Sequence, residues 1–176
     1  MKNSELIETY TVLSQLESAK DLPFKFTYAL ARLRDRMERV VVFLEKLRVT
    51  TVPGQIEYFA ERTKTLIALA EKDQDGNPVT KVGPNGNEYV VEDRVQLQEA
   101  LAELAEKHAK AIDAMKEKEH NFAELLEEEV EDFVPYCFDV AYLPVDTKGN
   151  TVLTAEQLRY LIPFIAGDID AIPDPA

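Results

Sequence analysis

Cysteine occurs once in this 176-residue chain, at Cys137, so no disulfide can form within it and a cysteine-rich metal site is excluded. No histidine lies near Cys137 in sequence to activate a thiol nucleophile, and between Tyr136 and Phe138 it reads as a buried small hydrophobe. Glycine is sparse as well. All six fall in turns, bends or the C-terminal region, and neither a phosphate-binding glycine loop nor a Gly-x-Ser-x-Gly elbow is present. Apolar residues never run for the roughly 18 positions that a membrane span needs. The opening Met1–Glu5 lacks the apolar core of a secretory signal, so a cytoplasmic location is expected. Basic residues are in deficit, 20 Lys and Arg against 33 Asp and Glu, for a net charge of −13. A duplex binder neutralises phosphates with a basic face, so direct nucleic-acid binding is not expected. The same acidity admits the opposite role, occupying the nucleic-acid groove of another protein.

What is present is periodic. Leu30, Leu33, Met37, Val40, Leu44 and Leu47 follow a heptad rhythm, and so do Leu97, Leu101, Leu104, His108, Ala111, Met115, Phe122 and Leu125. Each set predicts one stripe of a helix. Before them, Asn3 or Ser4 can cap a first helix with Leu6, Ile7, Tyr10, Leu13 and Leu16 on one face, ended at Lys20-Asp21-Leu22-Pro23. The second helix is expected from about Pro23 to Val49, roughly 40 Å long at about 1.5 Å per residue. Thr51 is a plausible cap for a third, from about Pro53 to Lys72, with Ile56, Phe59, Thr63, Leu66 and Ala70 inside. Asp93 caps the longest helix, expected to run unbroken to Glu131.

Turn chemistry separates the long helices. Asp73–Pro78 and Gly83-Pro84-Asn85-Gly86-Asn87 bracket two short β-prone runs, Val79–Val82 and Glu88–Val91, which predicts a β-hairpin at about 77–92. Beyond residue 132 the aromatic run Phe133–Leu143 reads as extended. Thr154-Ala155-Glu156-Gln157 then opens a short helix through about Leu161, stopped by Pro163. The expected fold is mainly α: an antiparallel long-helix hairpin or bundle, coiled-coil-like. A small β-hairpin sits between the long helices and a short strand-plus-helix segment ends the chain. Residues 1–168 form one domain and 169–176 a flexible tail.

Few residues carry chemistry. Asp73–Asn77 resembles the start of a calcium loop, but Pro84 occupies the position of its bidentate carboxylate, so a turn is the better account. Glu117-Lys118-Glu119-His120 contains one Glu-x-x-His, and a dinuclear site needs two; Ala105 stands three residues before His108. His108, on the apolar stripe, reads as a half-buried, hydrogen-bonded seam residue. No metal or cofactor is expected, and no residue set suggests an enzyme. Two charged groups remain as candidate interaction residues. Arg32, Arg36 and Arg39 project from neighbouring turns of the second helix, next to Arg34. They are expected to pair with the Glu-rich surface of the longest helix, in this chain or a copy of it, and can otherwise bind an acidic partner or a phosphate chain. Glu124, Glu127, Glu128 and Glu131, with Glu129 and Asp132, place acid at a helix C-terminus, where the macrodipole disfavours it. A solvated helix end is the default there; presentation to a partner is the functional alternative.

The runs Leu22–Arg32, Glu71–Pro78, Glu88–Asp93 and Thr154–Pro163 together resemble a family of small tailed-phage and prophage proteins. That resemblance implies a phage accessory or structural-cassette protein; it transfers no functional residue. Three functions are weighed. The first is a non-catalytic accessory or assembly protein that binds a phage or host protein or a second copy of itself, since apolar flanks such as Val41, Val42 and Phe43 widen the surface to be covered. The second is an acidic inhibitor mimicking nucleic acid to block a host defence or transcription protein. An enzyme is the third, and it lacks a constellation of residues.

Overall fold

Six α-helices among the described residues account for most of the chain: α1 (Asn3–Glu17), α2 (Phe24–Val49), α3 (Gln55–Leu69), α4 (Arg94–Lys107), α5 (Ala109–Glu127) and α6 (Ala155–Leu161). Strands β1 (Thr80–Gly83) and β2 (Gly86–Tyr89) pair antiparallel, while β3 (Phe138–Asp139) and β4 (Ile165–Ala166) pair in parallel. This computed structural model describes residues 1–19, 21–83, 86–131, 133–173 and 175. The hairpin tip at Pro84 and Asn85, Lys20 at the end of the first helix, and Asp132 of the acidic run all lie outside them, as do Asp174 and Ala176 of the expected tail. The chain divides into two compact units, Met1–Val49 with Phe122–Ala176, and Thr50–Asn121. No helix among the described residues is long and apolar enough to cross a membrane.

In the first unit the stripe of α2 is covered by α1 and by the C-terminal segment. Phe26, Leu30, Leu33, Met37 and Val41 form one cluster with Leu6, Leu13 and Leu16 of α1 and with Phe138, Leu153, Leu161 and Phe164. With Ala29 buried beside them, the large buried residues of α2 step by four, three, four, four and three from Phe26 to Leu44. That is the 3.6-residue period of a straight helix, so Val41 is buried where a strict heptad expects Val40. Thr9 is buried on α1, but its hydroxyl donates to the Glu5 carbonyl at 2.7 Å, so nothing polar is stranded.

The C-terminal segment is held by local bonds. Thr154 caps α6 by accepting from Gln157 N, and the Gln157 side chain accepts from Thr154 N at 2.9 Å, the reciprocal box expected from the sequence. Pro163 ends the helix in a 3₁₀ turn, Ile162–Phe164. The long crossover from β3 to β4, which contains α6, permits their parallel register of Phe138 with Ile165. Within Phe133–Leu143 only Phe138 and Asp139 pair as a strand, and Val140–Tyr142 form a 3₁₀ turn. Cys137 is exposed, not buried: Tyr136 and Phe138 turn inward on either side of it. Near the C-terminal end, Ile172 packs against the core and Pro175 is bridged to Thr151.

In the second unit α3 packs on α4. Gly54 precedes α3 with φ +79, and a Cβ there would stand 3.1 Å from the Ala111 Cβ, so glycine serves both the left-handed turn and the close approach. The cap is therefore Gly54 and not Thr51. The inner face matches the expected one only in part: Leu66 is half-buried and Ala70 buried, but Ile56, Phe59 and Thr63 are exposed, whereas Tyr58 and Glu61 meet His108. The expected 39-residue helix is likewise two. His108 leaves helical geometry at φ −105 and ψ 22, dividing α4 from α5 with no glycine or proline involved. The β-hairpin is stitched to the chain leaving α3, through Glu71 N to Val90 O and Val79 N to Glu71 O, both 2.8 Å. This anchorage supplies the support that an isolated two-stranded hairpin lacks.

Candidate functional site

Arg36, Arg39, Val40, Phe43 and Leu44 stand at i, i+3, i+4, i+7 and i+8 on α2, and so share one face. They line an open groove of about 900 Å³ in the first unit, completed by Asn3, Leu125, Glu128, Glu129, Val130, Glu131, Phe133 and Val134. Asn3 fixes the acidic lip. Its backbone N–H donates to the Glu128 carbonyl at 2.9 Å and its side-chain amide to the Leu125 carbonyl at 2.8 Å, satisfying acceptors that the end of α5 leaves open. Val130 N donates in turn to the Met1 carbonyl at 3.0 Å, so Lys2 and Glu129 bridge antiparallel. Asn3 is buried by this pairing, whereas the sequence suggested only a helix cap.

The groove therefore combines an apolar floor with both signs of charge. Phe43 and Val134 are exposed beside two guanidinium groups, and Glu128, Glu129 and Glu131 supply carboxylates. The two arginines offset the acid that accumulates at the C-terminal end of α5, where the helix dipole alone disfavours it.

Of the seven candidate interaction residues, four line this groove: Arg36, Arg39, Glu128 and Glu131. Arg32 instead lies 5.8 Å from the Tyr136 ring centre, and Glu127 pairs with Lys2 at 2.6 Å, which raises the Lys2 ammonium above its ordinary range. Glu124 does not line the groove. Arg34 pairs with Glu17 of α1, the helix that covers α2. Arg36 and Arg39 make no ion pair among the described residues. Asn3, Val130, Phe133 and Val134 carry no groove signal in the sequence, because their role depends on where the chain turns after α5. Phe43 carried a signal, as an apolar flank beside the main stripe.

A second polar cluster lies in the other unit, at the break between α4 and α5. Glu61 accepts from Lys107 Nζ at 2.6 Å and meets His108 Nε2 at 3.2 Å, while the His108 ring sits 5.7 Å from Tyr58. His108 is thus hydrogen-bonded and half-buried, as expected. The bond from Lys107 first, and that from His108 next, hold the Glu61 carboxyl below its usual range. A carboxyl whose pKa is depressed by folding stabilises the folded state above its unfolded value and loses that contribution as pH falls through its folded value. Melts of the wild type and of Glu61→Gln are therefore expected to differ at pH 6 and to converge as pH drops below about 4, the ordinary range of glutamate. Equal melting temperatures of the two at pH 6 would contradict this.

The turn reading of Asp73–Asn77 fits the bonds formed: Asp73 Oδ1 accepts from Asp75 N and Asn77 N at 2.9 and 2.8 Å, which lowers the Asp73 carboxyl. Among the described residues no group of three or more His, Cys, Asp or Glu could hold a metal ion. No protein-family model, curated protein or solved structure matches this chain.

Proposed function

We propose that this chain is a non-catalytic phage accessory or assembly protein, working in the host cytoplasm, and that the α2 groove is where a protein partner docks. The observation that carries the reading is the pair Arg36 and Arg39, without an ion pair among the described residues, above exposed apolar side chains. Recognition sites of this kind join a buried apolar anchor to charge-assisted hydrogen bonds, and arginine forms them in bidentate fashion with carboxylates. The occupant that fits is a protein segment with a large apolar anchor followed by Asp or Glu. The phage assignment rests on the sequence resemblance. Within the second unit, the α3–α4 contact is read as a short coiled-coil-like seam.

The nucleic-acid-mimic alternative is less well supported. A mimic presents continuous acid, whereas Lys2 neutralises Glu127 and two arginines share the groove with Glu128 and Glu131.

The test is site-specific photo-crosslinking in infected cells, with a photoreactive residue at Phe43 or Val134 and a control at Lys81 of β1. One protein is expected to cross-link from both groove positions and not from the control. Arg36→Glu with Arg39→Glu should reduce that adduct at least tenfold, since each charge-assisted bond contributes about 1.5–3 kcal/mol. Equal labelling from all three positions would sink the proposal.

A further inference from the structure

Helix α3 is apolar on two sides. The side of Tyr58 and Glu61 turns toward α4, which leaves Ile56, Ala60, Thr63 and Ile67 outward at spacings of four, three and four. Those are successive d, a, d and a positions of a helical seam. Ile56 is 66% exposed, and Phe59 and Ile67 are exposed beside it. Apolar residues at seam spacing on a free face call for a second helix.

We propose that this face of α3 docks antiparallel on the same face of a second copy of the chain. The flanks select both the occupant and its direction. About a two-fold axis, Ile56 meets Ile67 of the second copy and Ala60 meets Thr63, small residues that let the backbones approach at the centre. On one flank Glu57 faces Lys64 of the second copy, and on the other Phe59 faces Leu66, each contact occurring twice by symmetry. Neither Glu57 nor Lys64 makes an ion pair among the described residues, so both charges are available. Parallel docking instead sets Phe59 against Lys64 and gives Glu57 no cation. One helix is thus complementary to itself in charge and in shape only when reversed.

The contact is short, about 17 Å from Ile56 to Ile67 at roughly 1.5 Å per residue. Interfaces of this size form weak, exchanging complexes, and a dissociation constant of about 10–300 µM is expected. Sedimentation equilibrium of the full chain between about 5 and 500 µM reads it. Ile56→Glu and Ile67→Glu should each give monomer at every concentration, with far-UV circular dichroism unchanged because both side chains are exposed. Glu57→Lys and Lys64→Glu should each weaken the dimer several-fold, and the two combined should restore it. Direction is read by disulfide trapping in a Cys137→Ser background: Ile56→Cys mixed with Ile67→Cys should cross-link, and Ile56→Cys alone should not. A monomer throughout, a dimer indifferent to Ile56→Glu, an unrestored charge swap, or rapid cross-linking of Ile56→Cys by itself each overturns the proposal.

Discussion

Phe26→Ala is expected to cost about 3–5 kcal/mol, the range for removing a fully buried phenylalanine without collapse of the site. Phe26 is 0% exposed, and its ring meets Phe138 edge to face with centroids 6.0 Å apart. The truncation therefore removes transfer energy, leaves a cavity between α2 and the C-terminal segment, and forfeits about 0.5–1.5 kcal/mol of aromatic pairing. The melting temperature should fall by about 10 °C or more. Phe24→Ala, two residues earlier in the same helix, is the internal control. Phe24 is 83% exposed and stacks only on Tyr28, so its loss should stay within about 0.5 kcal/mol. Two phenylalanines flanking one lysine thus differ roughly tenfold in effect. Chemical denaturation of both variants checks this, and comparable losses would show that Phe26 is not part of the core.

That contrast was largely legible in the sequence, because Phe26 is in phase with Leu30, Leu33 and Met37 while Phe24 is not. The same phase argument located α1 and α2, and local capping chemistry located α6. The hairpin was legible from its turn residues, displaced by one or two positions from its observed strands. What the sequence did not show depends on contacts distant along the chain. His108 has no local reason to leave the helix; its partner Glu61 arrives from another element. Helix α3 carries apolar residues on two faces, and periodicity alone cannot say which turns toward α4. Covering of α2 by α1 gives Arg34 its partner Glu17, while Arg36 and Arg39 line the groove. The acidic lip was legible as charge. Its placement in the groove depends on Asn3, whose two hydrogen bonds reach more than 120 residues ahead.

The C-terminal segment relies on one hydroxyl. Thr151 is fully buried; its Oγ1 donates to the Pro144 carbonyl at 2.9 Å and accepts from Leu153 N at 3.3 Å. These bonds close the narrow turn Asp146–Asn150, in which Asp146 Oδ1 also accepts from Lys148 N and Asn150 N. Thr151→Val keeps the shape and removes only the hydroxyl. Pro144 O retains a bond from Val152 N, but Leu153 N is left in an apolar surrounding with no acceptor. A stranded buried donor costs about 1–3 kcal/mol, and that is the expected loss. Thr151→Ser restores the hydroxyl and removes one methyl, which should cost about 1 kcal/mol through packing alone. The two variants separate by amide exchange at Leu153, which should accelerate in the valine variant beyond its global destabilisation and track stability in the serine variant. Because Leu153 and Phe138 pack in the same cluster, the turn and the core it adjoins should loosen together. Unchanged exchange at Leu153 in Thr151→Val would mean that the hydroxyl fills space without holding the turn.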